Sequence, residues 1–135
     1  MNEQLTCELK GNILFMETKG IYSPQELQAF FIQSMHNPQL PPRFAIVIDA
    51  RQSRTSISMN EIKPLSAELK TALERIVCIA TVVHSKLHYG LTRQAGTFHE
   101  HYGFETRPYY DMESAIAWVK EKLAYVSSHN TQQPF

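Results

Sequence analysis

The sequence predicts a single α/β domain with a mixed, mostly parallel sheet of five strands and four helices, in the order β-β-α-β-α-β-α-β-α. Two continuous apolar runs, 44–48 and 77–83, have the pattern of strands that helices cover on both faces. A chain of 135 residues accommodates one such domain. Because strands and helices alternate after an initial hairpin, right-handed crossovers should place the two runs side by side and parallel.

The chain begins with a predicted hairpin and a strongly marked helix start. Apolar and polar residues alternate over residues 5–19, and Gly11-Asn12 supplies a tight turn. Ser23 is then expected to cap a helix with Pro24 in its first position and Glu26 closing a capping box. The apolar face of this helix contains Leu27, Phe30, Phe31 and Met35.

A second helix is predicted between the two apolar runs. Ser58 and Glu61 form another capping box, and apolar residues at helical spacing continue to Ile76. Pro64 would remove a hydrogen bond from the interior of this helix. Its first turn is therefore expected to kink or to be a separate short turn.

The last part of the chain is predicted as a helix, a strand and a helix. The first of these helices covers about 86–102 and has Leu87 at the start of its apolar stripe. A strand over 104–110 follows, and Asp111 caps the final helix. Both faces of the sheet should thus be covered.

Composition restricts the classes of function. Thirteen basic and thirteen acidic residues give a net charge of zero, so no global field attracts a nucleic acid, and membrane association is at most peripheral. The start of the chain lacks the features of a secretion signal, which predicts a cytoplasmic protein with reduced thiols at Cys7 and Cys78. Residues 1–126 are the predicted domain and 127–135 a polar, frayed tail.

Four stretches of the chain, taken with the order of elements, point to a known family. They are Gly20-Ile21-Tyr22-Ser23-Pro24, Phe44-Ala45-Ile46-Val47-Ile48-Asp49-Ala50-Arg51, Tyr89-Gly90-Leu91-Thr92-Arg93 and Asp111-Met112-Glu113-Ser114-Ala115-Ile116-Ala117-Trp118. These stretches resemble the STAS family, and within it the SpoIIAA-like bacterial proteins, which are also described as similar to the lipid-binding SEC14 domain. The resemblance implies a STAS-like fold over most of residues 5–126.

The resemblance implies two different functions. Similarity to SEC14 implies an apolar cleft between helix and sheet for a lipid-like ligand. Anti-sigma-factor antagonists of this fold are instead regulated by phosphorylation of a serine in an Asp-Ser-Ser-Gly-like motif at the start of the second helix. Ser56 or Ser58 could occupy that position, although the Asp and the Gly are missing here and Ser58 also serves as a helix cap.

Polar residues should collect where the parallel strands end, which is the edge that ligands prefer in open α/β folds. The residues predicted for an anion or partner site at this edge are Asp49, Arg51, Ser53, Arg54, Ser56, Ser58 and His84. The alternative interpretation is a set of solvated loop residues. An enzyme would require Asp49, Arg51 and His84 to converge within hydrogen-bonding distance.

Aromatic residues on the helices suggest a second site. An apolar ligand cleft is predicted from Phe30, Phe31, Met35, Tyr89 and a half-exposed Trp118. The first helix would then act as a lid, with Pro41-Pro42 near its hinge. The alternative is a core helix that packs tightly on the sheet.

No sequence signature of catalysis is present. The chain lacks a nucleophile elbow, a phosphate-binding glycine loop and any zinc-ligand spacing. We therefore expect no enzyme activity, no cofactor and no bound metal. The predicted function is a non-catalytic STAS-like module that binds a small amphipathic or lipid-like ligand; the alternative is a protein–protein regulator of the anti-sigma-factor-antagonist type.

Overall fold

The computed structural model describes residues 4–54, 71–99 and 103–130, with side chains for all of these except 94–99 and 129–130. The strands are β1 (Leu5–Lys10), β2 (Ile13–Gly20), β3 (Phe44–Ser53), β4 (Ile76–Val82) and β5 (Glu105–Tyr109). They form one sheet in the order β1-β2-β3-β4-β5, with β1 antiparallel to β2 and the other three pairs parallel. The predicted mixed, mostly parallel sheet is confirmed, including the parallel pairing of the two apolar runs.

The hairpin and the first helix form as their local signals predict. β1 and β2 pair from Leu5 opposite Thr18 to Lys10 opposite Ile13. Gly11 makes the turn with a φ of 63°, a left-handed conformation that glycine adopts without steric cost. At the next helix, the Ser23 hydroxyl accepts the Glu26 backbone N–H at 3.0 Å and the Glu26 carboxylate accepts the Ser23 N–H at 3.0 Å.

Helices flank the sheet in the predicted positions. They are α1 (Pro24–Met35), α2 (Lys86–His99) and α3 (Met112–Asn130), and residues 71–73 form a further helical segment before β4. Within the described ranges, no helix is both long enough and apolar enough to cross a membrane. Most of the helix predicted to start at Ser58, including Pro64, lies outside the described residues.

Two predicted element boundaries are wrong. Ile76 was assigned to the end of a helix, but it is the first residue of β4, where it pairs with Phe44 and is buried. An apolar residue gives the same signal at a helix end and at a strand start. The final helix also continues to Asn130, into the stretch 127–135 that was predicted as a polar, frayed tail, since no glycine or proline after Val126 stops it before that point.

Each face of the sheet has its own hydrophobic core. On one face, Val47, Ala80 and Val82 pack with Val119 and other residues of α3. On the opposite face, the buried residues come from α1, the 71–73 segment and the alternate positions of the strands: Leu14, Met16, Met35, Phe44, Ile46, Leu73, Ile76 and Ile79. Consecutive parallel strands joined by right-handed crossovers send their connecting helices to one face, so the helix after the last strand covers the other. Coverage of both faces is therefore confirmed.

Candidate functional site

Three buried hydroxyl groups meet at the edge where the parallel strands end. The Ser53 Oγ lies 2.7 Å from the Thr18 Oγ1 and 2.7 Å from the Tyr22 hydroxyl. Thr18 is 3%, Ser53 2% and Tyr22 8% exposed, so these hydrogen bonds are shielded from water. We refer to Thr18, Tyr22 and Ser53 as the hydroxyl cluster; it joins the ends of β2 and β3 to the residue that precedes the α1 cap.

An irregularity in β3 brings Ser53 into this cluster. Glu17 pairs with Asp49, but Lys19 pairs with Gln52, so β3 contains one residue more than β2 over this interval. With strict alternation from Asp49, the Ser53 side chain would point to the face covered by α3. The extra residue turns it to the α1 face, where the hydroxyl cluster forms.

His84 connects the end of β4 to the same place. Its Nε2 lies 3.2 Å from the Ser53 carbonyl oxygen. On the other side, the Arg54 backbone N–H donates to the Gly20 carbonyl at 2.8 Å. The ends of β2, β3 and β4 are therefore held together by hydrogen bonds, and the predicted edge residues Ser53, Arg54 and His84 lie close to one another.

The start of α2 uses a serine and a histidine as its cap. The Ser85 hydroxyl accepts the His88 backbone N–H at 3.2 Å and is also 2.7 Å from His88 Nδ1. The rings of His84 and His88 are 4.9 Å apart, between centroids. No group of three or more histidine, cysteine or carboxylate side chains is arranged to hold a metal ion among the described residues.

Asp49 and Arg51 form a separate ion pair. The Arg51 Nε and Nη2 donate to the two Asp49 carboxylate oxygens, both at 2.9 Å. These hydrogen bonds lower the pKa of Asp49 and raise that of Arg51. Asp49 lies on the α3 face, two residues after Val47, and no hydrogen bond between described residues links the pair to His84. The predicted edge set is therefore divided between two faces, and Ser56 and Ser58 lie outside the described residues.

The five residues predicted for an apolar cleft do not come together. Met35 is 4% exposed, and Phe30 and Phe31 are half-buried beside it in the core on the α1 face. Trp118 belongs to the core on the opposite face, under α3. Tyr89 is on α2 and stacks on Tyr110, with ring centroids 4.9 Å apart.

Trp118 is also more buried than predicted. It is 8% exposed, with the Tyr109 ring centroid 6.0 Å away and the Arg107 guanidinium 4.9 Å above its ring. A position beside the inner stripe of an isolated helix is half-exposed, but here β5 supplies two side chains that cover the indole. The expectation of a half-exposed tryptophan is therefore wrong.

The connection proposed as a hinge is held by an arginine. Arg75 Nη2 donates to the Leu40 carbonyl at 2.8 Å and to the Pro41 carbonyl at 2.7 Å. The same guanidinium lies 5.6 Å from the centre of the Phe44 ring. These contacts restrain the chain between α1 and β3.

Exposed apolar side chains mark the strand-end edge. Ile21 follows β2 and is 72% exposed, Leu87 follows β4 and is 61% exposed, and Tyr110 follows β5 and is 53% exposed. The only other exposed large apolar residue in the described ranges is Tyr125, on α3. We call Ile21, Leu87 and Tyr110 the apolar edge group. Leu87 was expected on the buried stripe of α2, but it is the second residue of that helix and is exposed.

This chain is related to known proteins by its fold and not by its sequence. No protein-family model matches the sequence, and no curated protein matches it. A structure search finds the crystal structure of an uncharacterized DUF3478-family protein with a SpoIIAA-like fold from Shewanella loihica PV-4. The TM-score is 0.54 at 17% identity, over 85% of this chain and 91% of that chain.

The fold and its edge define a class of protein. The chain is an α/β protein with a mixed five-stranded sheet, helices on both faces and loops gathered at one edge. Within that class it has a SpoIIAA-like fold, as the STAS resemblance implied. A fold of this kind hosts more than one function, so activity has to be argued from the edge itself.

Proposed function

We propose that the protein is a non-catalytic regulatory module that binds a partner protein at the strand-end edge of its sheet. The observation that carries the proposal is the apolar edge group. Three of the four exposed large apolar side chains in the described part of the chain, Ile21, Leu87 and Tyr110, follow three different strands at this one edge.

Burial of this group would supply binding energy. Removing a side chain of this size from water contributes about 1.5 to 3 kcal/mol. Three such side chains would contribute roughly 4.5 to 9 kcal/mol before the cost of association, so they would act as anchors and the surrounding contacts would have to supply the rest of the affinity.

The hydroxyl cluster supports the proposal by making the edge rigid. Its hydrogen bonds and the His84 contact to the Ser53 carbonyl hold three strand ends in one arrangement. A surface that is already ordered loses less entropy when a partner binds. The cluster is therefore a scaffold for the edge and is itself too buried to contact a partner.

A co-purification experiment tests this function. The tagged protein is expressed in its native host as wild type, as Ile21→Asp and as Leu87→Asp, and co-purifying proteins are quantified by mass spectrometry. Tyr125→Asp is the matched control, because it places the same charge on the exposed apolar residue outside the edge. Circular dichroism confirms that each variant is folded.

We expect one protein to co-purify with the wild type and the Tyr125→Asp control and to decrease about tenfold with both edge variants, equivalent to about 1.4 kcal/mol. Co-purification that is the same for all four proteins would refute binding at the edge. So would a loss of equal size in the Tyr125→Asp control.

A second candidate function is binding of a small amphipathic or lipid-like ligand beside α1. The observation in its favour is that Phe30, Phe31 and Ile32, three consecutive apolar residues, are all only half-buried. Native mass spectrometry of the protein from its native host would then reveal a bound small molecule that is lost from folded Phe31→Asp. A mass equal to that of the polypeptide alone in every preparation would refute this candidate.

A further inference from the structure

Among the described residues, two exposed cations lie beside the apolar edge group and have no carboxylate partner there. Arg54 follows β3, and its backbone N–H is bonded to Gly20, the residue before Ile21. Lys86 directly precedes Leu87 at the start of α2. Within the described ranges, neither side chain forms an ion pair, whereas Arg51 and Lys19 on the same strand ends do.

Two acidic side chains at this edge, Asp49 and Asp111, already accept hydrogen bonds from other residues of the chain. Both Asp49 oxygens accept hydrogen bonds from Arg51. The Asp111 carboxylate caps α3, accepting the Ser114 backbone N–H at 2.7 Å and the Ser114 hydroxyl at 2.9 Å. The hydrogen-bond donors to Asp111 are neutral and leave its negative charge beside Tyr110, whereas the charges directly beside Ile21 and Leu87 are the positive ones of Arg54 and Lys86.

We infer that the partner segment bound at this edge is acidic as well as apolar, an inference that rests on the proposed function. Each free cation adjoins one member of the apolar edge group: Arg54 beside Ile21 across β2 and β3, and Lys86 beside Leu87 along the chain. A segment whose apolar side chains cover Ile21 and Leu87 brings its neighbouring residues next to these cations. Aspartate or glutamate at those positions would complement them and raise the association rate.

The charge distribution favours a protein segment over a lipid surface. Anionic membranes are bound by clusters of four to eight basic residues. Only two unpaired cations, Arg54 and Lys86, lie beside the apolar edge group in the described part of the chain. Two cations are too few for an anionic membrane, and each lies next to one exposed apolar side chain, which fits a peptide segment that carries both acidic and apolar residues.

Selection from random peptides displayed on phage tests the inference. Peptides are selected on the immobilised wild-type protein, and the affinity of an enriched peptide is measured by fluorescence anisotropy at low salt. The test variant is the double charge reversal Arg54→Glu with Lys86→Glu. The control is Arg43→Glu with Lys120→Glu, which changes the net charge equally at two exposed positions away from the edge.

We expect enriched peptides that combine Asp or Glu with apolar residues. Their affinity should fall roughly tenfold in the Arg54/Lys86 variant, remain unchanged in the control, and weaken as salt increases. Leu87→Asp should also reduce it, because the same segment covers Leu87.

Three results would overturn the inference and differ in what they imply for the proposed function. Enrichment of neutral or basic peptides whose binding depends on Leu87 would refute the acidic partner and would still support docking at the edge. If no enriched peptide depends on Leu87, both ideas fail. If phosphatidylglycerol vesicles bind through Arg54 and Lys86 and acidic peptides do not, the occupant is an anionic lipid surface instead.

Discussion

Replacing Ser53 by alanine should destabilise the protein more than removing the hydroxyl group of Thr18 or of Tyr22. Ser53 is the shared partner of Thr18 and Tyr22, with both oxygen–oxygen distances at 2.7 Å. Its loss removes two hydrogen bonds, each worth about 1 kcal/mol net, and leaves buried hydroxyl groups that have lost a partner, at a cost of about 1 kcal/mol or more. We expect the free energy of unfolding to fall by about 3 kcal/mol.

Urea denaturation followed by circular dichroism measures this loss, provided that the slope of unfolding free energy against urea is unchanged. Tyr22→Phe removes only one of the two hydrogen bonds and should cost about 1 kcal/mol. The triple variant Thr18→Val, Tyr22→Phe and Ser53→Ala removes all three hydroxyl groups together. Because none of them stays buried after losing its partner, this variant should be no less stable than Ser53→Ala alone. A cost for Ser53→Ala below about 1 kcal/mol, or three losses that simply add, would refute the role given to this serine.

Three further predictions concern groups outside the cluster. Arg75→Ala should lower the free energy of unfolding by about 2 kcal/mol, because it frees the two carbonyls before β3 that Arg75 binds; a thermal melt that matches wild type would contradict this. Burial raises the pKa of Cys78 to about 12, so a thiol-specific reagent should modify exposed Cys7 in the folded protein and reach Cys78 only after unfolding. The Arg51 hydrogen bonds lower the pKa of Asp49 in the folded protein. The stabilisation that they supply should therefore be present above about pH 4 and be lost as the pH falls through the lower, folded-state pKa. The difference in unfolding free energy between wild type and Asp49→Asn, measured in urea, should shrink over that range.

Signals that act within a few residues were sufficient for the parts of the fold they control. Gly11 at the hairpin turn and the Ser23–Glu26 capping box form as predicted, since both depend on neighbouring backbone groups alone. The apolar runs also became adjacent parallel strands, because a strand with no polar side must be covered on both faces.

The candidate site was only partly predictable. The strand-end edge and the residues Ser53, Arg54 and His84 followed from the order of elements, and the structure brings these three together. Thr18 was missed as a site residue, although its signal was present: it continues the inward positions of Leu14 and Met16 and is polar. Trp118 was grouped with Phe31 because helical spacing does not say which face of a sheet a helix will cover.

The amino-acid sequence by itself determines the helix starts, the turns and the order of the strands, since each depends on residues that are close to one another along the chain. The contacts between distant residues are not. Ser53 meets Thr18 because one additional residue in β3 reverses the direction of its side chain, and Trp118 is covered because α3 packs beside β5. Such outcomes depend on strand register and on the free face left for the last helix, which arise only when segments far apart in sequence pack together.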